Sequence, residues 1–253
     1  MRTHLKCLQA PFVEYVILLG CWFGLVANLA WAQPYVVERI GALEQEIEVI
    51  ESRALSNPLD PVIFVQLARL HLQLGGLDQK SQEKQIAIFE EGARLAKQAL
   101  ALQEDQADAH YYYAANLGSA TQLKGVMASA LIVEELKVHI RRAVELQDNH
   151  APALHMLGRM LDELPWFLGG NEGEALRYLQ EAVSADKYNA HACLDLAKLY
   201  RKRGNISAAS KELTHLLQYP AAYQSWGWTY QYKFEAEQIL KELDVQASLG
   251  DAQ

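Results

Sequence analysis

The chain has 253 residues, 51% of them hydrophobic, and carries a formal net charge of −8. That length allows one large or two small domains, and so much apolar material argues against a disordered polymer. The acidic balance argues against generic affinity for nucleic acid or anionic lipid.

The first 32 residues read as a signal peptide. Arg2 and Lys6 precede an apolar run from Tyr15 to Ala32, which closes on Ala30-Trp31-Ala32, the small-x-small pattern that signal peptidase cuts after. Two other readings stay open. Residues 15–32 sit at the short edge of what spans a bilayer and would serve as a membrane anchor. Alternatively, Leu18-Leu19-Gly20-Cys21 is similar to a lipobox and would make a lipoprotein at Cys21. Cleavage after Ala32 removes Arg2, Lys6 and Glu14, so the charge of −8 becomes −9. Cys7 and Cys21 leave as well, so Cys193 remains alone and forms no intramolecular disulfide. Among apolar neighbours it reads as a small buried residue rather than a nucleophile.

From residue 33 onward apolar residues recur three and four apart, and the class is all-α. Residues 33–57 make an N-terminal amphipathic helix marked by Val37, Ile40, Leu43, Ile47 and Ile50, and Asn57-Pro58 stops it. Residues 58–221 hold four irregular helix pairs. The first reads Phe64-x2-Leu67-Ala68-x2-His71 and then Gly92-x3-Ala96-x2-Ala99. The second reads His110-x2-Tyr113-Ala114-x2-Leu117 and then Leu136-x3-Ile140-x2-Ala143. The third reads Leu154-x2-Leu157-Gly158-x2-Leu161 and then Ala175-x3-Leu179-x2-Ala182. The fourth reads Cys193-x2-Leu196-Ala197-x2-Tyr200 and then Ala209-x3-Leu213-x2-Leu216. From Ala99 to His110, Ala143 to Leu154 and Ala182 to Cys193 the step is 11 residues each time, so neighbouring pairs are expected to stack alike. Residues 222–253 supply a closing helix and tail. It runs from Trp226 to Leu243, with Phe234, Ile239, Leu240 and Leu243 toward the stack and Lys233, Glu235, Glu237, Lys241 and Glu242 outside. About ten helices are expected, the atypical ends covering the last apolar faces.

These spacings resemble the tetratricopeptide repeat, with its W-x2-L-G-x2-Y and A-x3-F signatures, although the tryptophan is missing. The resemblance implies a right-handed helical solenoid whose first helices line a concave face. The residue after each first anchor, with those four and seven further on, then points inward: Val65, Arg69 and Leu72; Tyr111, Ala115 and Gly118; His155, Arg159 and Asp162; Leu194, Lys198 and Arg201. Candidate partner-binding residues are therefore Arg69, Tyr111, His155, Arg159, Lys198 and Arg201. Their cations would make a groove suited to a carboxylate or an acidic peptide, or else stand as solvated helix faces with local partners such as Asp162 and Asp195. Of three consecutive tyrosines, Tyr113 is core by register and Tyr111 or Tyr112 looks elsewhere. In the loop from Pro165 to Asn171, Trp166 and Phe167 are either a partner contact or a cover packed over the open edge of the unit, while Asn171 caps the next helix.

Catalytic motifs are missing: no H-E-x-x-H, G-x-S-x-G, Walker-type loop or paired CxxC occurs. The pairs His150 with His155 and His110 with His71 have no carboxylate or thiolate at ligand spacing, so neither a metal nor a cofactor is expected. The segments Tyr111 to Gly118 and Leu164 to Asn171, followed by Glu174-Ala175-Leu176, resemble the T component of tripartite ATP-independent periplasmic transporters (TatT). More distantly they are similar to the regulator of microtubule dynamics family, the likeness covering roughly residues 58–220. The first resemblance implies an accessory periplasmic protein that associates with a solute-binding protein and offers a route to an apolar ligand. The reading is thus an exported, periplasmic, non-catalytic scaffold for a protein or peptide partner. Its alternative is a transport accessory handling a small apolar or carboxylate ligand.

Overall fold

The computed structural model describes residues 33–78, 81–225 and 227–250; the expected leader over residues 1–32 and the expected helix start at Trp226 lie outside them. The chain divides into two units at Arg39 and Ile40. The second holds the helix pairs, the first contributing only the opening of α1. Ten α-helices follow one another among the described residues, with no strand: α1 (Gln33–Ser56), α2 (Pro61–Leu77), α3 (Gln82–Leu102), α4 (Ala107–Lys124), α5 (Val126–Leu146), α6 (Ala151–Glu163), α7 (Glu172–Ala185), α8 (Ala190–Lys202), α9 (Ile206–Leu217) and α10 (Lys233–Gly250). None is long and apolar enough to cross a membrane.

Local chemistry sets the helix starts. Asp60 accepts a hydrogen bond from the Val62 N–H ahead of α2, whose first residue is Pro61, a position where the missing donor costs nothing. Asn171, Asn189 and Asn205 cap α7, α8 and α9 in the same way. His150 does this for α6, its Nδ1 accepting from the Ala153 N–H.

Helices α2/α3, α4/α5, α6/α7 and α8/α9 pack as antiparallel pairs, and the first helices α2, α4, α6 and α8 lie side by side in that order. The anchor positions of the four pairs lie in the core between the helices. Ala68, Ala96, Ala114, Ile140, Ala143, Ala175, Ala182, Ala197, Ala209 and Leu213 have no accessible surface. Gly158 shows why the third pair needs a small residue. A Cβ there would stand 2.8 Å from Leu179 Cγ and 3.1 Å from the Leu179 backbone nitrogen. The expected all-α, tetratricopeptide-like helical solenoid is what the chain forms.

The closing segment differs from its expected form. After a 3-10 turn at Ala221–Tyr223, a π turn at Trp228–Tyr232 leads into α10, which runs past Leu243 to Gly250. A π turn adds a residue and rotates everything after it by about 100° relative to an unbroken helix. It lies ahead of Phe234, Ile239, Leu240 and Leu243 alike and turns them together. Phe234, expected toward the stack, is exposed because it sits five residues before Ile239, about 140° around the helix. The stripe facing the stack is Trp228, Ala236, Ile239 and Leu243, with Leu240 partly buried beside it. Glu235 and Glu242, expected outside, reach cations on α8.

Candidate functional site

The first helices α2, α4, α6 and α8, with α10 beyond them, place the candidate partner-binding residues along one face, and nearly every charge there meets an opposite one. Arg159 lies between Glu163 (2.8 Å) on its own helix and Asp195 (3.5 Å) on the next. Lys198 touches Asp195 (3.7 Å) and Glu235 (2.7 Å), and Arg201 touches Glu242 (2.7 Å). Arg69 is 3.9 Å from Glu46. The expected electropositive groove therefore does not take that form: the cations lie within a ladder of ion pairs between neighbouring helices. Such a ladder was invisible along the sequence because its rungs join residues about one repeat apart. His150 meets Asp108, His155 meets Asp195, Lys202 meets Asp162 and Arg201 meets Glu242, at separations of 42, 40, 40 and 41 residues.

Asp195 is the centre of the densest knot. His155 donates from Nε2 to its Oδ2 at 2.8 Å, and His191, Arg159 and Lys198 surround it. Burial alone would raise the Asp195 pKa, but the hydrogen bond from His155 and the neighbouring histidines and Arg159 outweigh it and hold the carboxyl well below its usual range. His191 stacks on the Tyr232 ring at 5.1 Å and tilts against His155 at 4.5 Å. Burial, then His155, pushes its pKa down to about 3, so it is a neutral imidazole at physiological pH. Burial likewise lifts the Tyr232 phenol to about 12. Asp195 is one of the local partners suggested by the sequence; His191, Tyr232, Glu235 and Glu242 are partners of this face that sequence reading missed. The spacing of His191 and Asp195, one helical turn apart, was the available signal.

Tyr111 packs edge-on against Tyr112 and tilts against His150 at 5.3 Å, while burial raises its phenol pKa far above the ordinary range. Tyr113 is buried as its register requires and donates to Glu135 at 2.5 Å.

Trp166 and Phe167 occupy a different setting. They form a 3-10 turn between α6 and α7, with 85% and 66% of their surface open, so they do not cover the edge of their unit. The turn itself is firmly held. The Leu168 and Gly170 N–H groups donate to Pro165 O, Asn171 N–H donates to Leu161 O, and the Lys137 ammonium donates to Leu168 O. Gly169 closes it with φ +87°, the left-handed region that favours glycine. Asn171 caps α7 as expected, accepting from the Gly173 and Glu174 N–H groups.

Among the described residues, two groups bring metal-ligating atoms within 4.8 Å of one another: His155, His191 and Asp195, and Cys193, Glu212 and His215. Neither coincides with the histidine pairs singled out from the sequence. Cys193 is wholly buried, and burial lifts its thiol pKa to about 11.

Stacked antiparallel pairs with small residues at each crossing define a tetratricopeptide-type protein. Two family descriptions match along it, "Regulator of microtubule dynamics protein 1-3" over residues 43–161 and "Tetratricopeptide repeat" over residues 167–225. The chain is 28% identical over 198 residues to regulator of microtubule dynamics protein 1 of Bos taurus, covering 72% of this chain and 62% of that one. The Mus musculus protein of the same name is 26% identical over 200 residues, at 73% and 65% coverage. The matches thus span less than two thirds of either relative. Among solved structures, a thermophilic tetratricopeptide protein of Thermus thermophilus superposes with a TM-score of 0.58 at 18% identity, covering 81% of this chain and 94% of that one. That likeness concerns the fold.

Proposed function

We propose that the chain is a non-catalytic scaffold that holds a protein or peptide partner, and that the partner docks on the turn carrying Trp166 and Phe167. One observation carries the reading: two large aromatics stand open to solvent on a backbone fixed by hydrogen bonds at both ends. Exposed aromatics on a rigid support make good anchors, since little entropy is lost when they are covered. Val126, Met127 and Leu131, all exposed at the start of α5, add apolar surface on the helix whose Lys137 holds that turn. The inner face, whose charges are matched within the chain, serves cohesion between repeats first.

The relatives named as regulators of microtubule dynamics support an interaction role, and they make co-sedimentation with microtubules the first partner assay. Export is part of the proposal: residues 1–32 carry the sequence pattern of a leader cleaved after Ala32, with the anchor over residues 15–32 and the lipoprotein at Cys21 as its alternatives. A second reading, the TatT-like transport accessory, is favoured by the Tyr111 to Gly118 segment and requires a small apolar or carboxylate ligand.

The test is crosslinking of the full chain in its native cells. Exchange of both Trp166 and Phe167 for alanine should remove the specific partner and leave helicity intact. Retention of the same partner by the double variant would overturn the docking turn. A small mass retained in native mass spectrometry, with no protein partner found, would favour the transport reading.

A further inference from the structure

The geometry points to Cys193, Glu212 and His215 as a binding site for a thiophilic divalent cation of the zinc class, clamping α8 to α9. Cys193 is wholly buried on α8, and Glu212 and His215 lie one helical turn apart on α9. Cys193 Sγ stands 4.0 Å from His215 Nδ1, and one ligand atom from each of the three residues falls within 4.8 Å of the others. In a tetrahedral zinc site, with Zn–S about 2.3 Å and Zn–N about 2.05 Å, sulfur and nitrogen are about 3.6 Å apart. A shift of a few tenths of an ångström closes the difference. Water would complete the coordination.

Three further observations favour a cation here. The Cys193 thiol lacks a short acceptor, since Lys187 O at 3.9 Å and His215 Nδ1 at 4.0 Å are at the long end for sulfur. Tyr219 donates its hydroxyl to the sulfur at 2.9 Å, the kind of outer hydrogen bond that stabilises a metal-bound thiolate. Glu212 and Asp186 bring negative charge toward Cys193. The Lys187 ammonium lies instead over the Tyr188 ring. At the other group of ligating atoms, by contrast, Arg159 and Lys198 sit 3.5 and 3.7 Å from Asp195 and repel a metal ion. His215 also lines an open depression of about 450 Å³ on α9, together with Lys211, and is thus reached from solvent. Coordination exchanges one proton for the metal: the Cys193 S–H bond breaks, the proton goes to solvent, the sulfur–metal bond forms, and no electron is transferred.

Cobalt(II) titrated into the reduced, metal-stripped full chain is the probe. One equivalent should bind with the near-ultraviolet charge-transfer absorption of a thiolate–cobalt bond, and zinc should displace it and raise the melting temperature. Cys193→Ser should abolish the band and His215→Asn weaken binding at least tenfold, whereas His155→Asn, which loosens the knot around Asp195, should leave the cobalt band and the cobalt affinity as they are. His215 is partly exposed, so its variant reports even where Cys193→Ser fails to fold. Absence of the band, its persistence in Cys193→Ser through Cys7 or Cys21, undiminished affinity in His215→Asn, or loss on His155→Asn would each overturn the site.

Discussion

His155 on α6 donates a hydrogen bond to Asp195 on α8 at 2.8 Å, joining two first helices across forty residues of sequence. Asp195 also balances Arg159 and Lys198, and only 15% of its side chain is exposed. Its removal leaves three donors without their shared acceptor. Asp195→Ala should therefore lower stability by about 1.5–3 kcal/mol, the range for hydrogen bonds to a charged group. Urea denaturation followed by circular dichroism measures this, and an unchanged midpoint would show that the knot contributes nothing to cohesion.

The same knot predicts a dependence on pH. The folded-state pKa of His191 is lowered from 6.5 to about 3, so between those values the unfolded chain binds the proton that the folded chain refuses. Stability should thus decline as pH falls from about 6.5 toward 3. Asp195 adds its part lower down: its depressed pKa gives stability that is present above the unfolded carboxyl value and lost as pH falls toward the folded one. Replacing His191 by glutamine should flatten the decline between pH 6.5 and 5 in thermal melts. An identical profile for parent and variant would assign the acid sensitivity elsewhere, His139 being the next histidine whose pKa burial lowers.

Close packing in the third pair gives a sharper test. With Leu179 Cγ 2.8 Å from where a Cβ would sit, Gly158→Leu should prevent native packing, and even Gly158→Ala should destabilise. Ala197→Gly, at the equivalent crossing of the fourth pair, makes no clash and should cost about 0.5–1 kcal/mol through helix propensity. Leu157→Ala, which empties a fully buried position, should cost about 2–5 kcal/mol. A Gly158→Leu protein that melts with its parent would contradict the helix crossing described above.

Those crossings were legible because they obey local rules. The anchors at Leu154, Leu157, Gly158 and Leu161 follow from the 3.6-residue period, and the constant step of 11 residues fixed which helix follows which. Two things were hidden. Charge pairing between neighbouring helices links Asp162 on α6 to Lys202 on α8 and Arg201 on α8 to Glu242 on α10, and helical periodicity within one element says nothing of a partner some forty residues away. The π turn at Trp228–Tyr232 was hidden too, since its extra residue has no composition signal. At Trp166 and Phe167 two outcomes remained open from sequence, because apolarity alone does not tell a covered edge from an exposed contact.

The turn bearing those two aromatics separates stability from binding. Since Trp166 and Phe167 bury little, replacing both by alanine should shift stability by no more than about 0.5 kcal/mol per site. Asn171→Ala next to them removes the acceptor for two N–H groups at the start of α7 and should cost about 0.5–2 kcal/mol. The two changes are thus opposite in kind. The aromatic pair should lose partner capture at unchanged melting temperature, and the cap variant should melt earlier but still capture at low temperature. If the aromatic double variant instead melts early, the two rings support the stack and the surface that recognises a partner lies elsewhere.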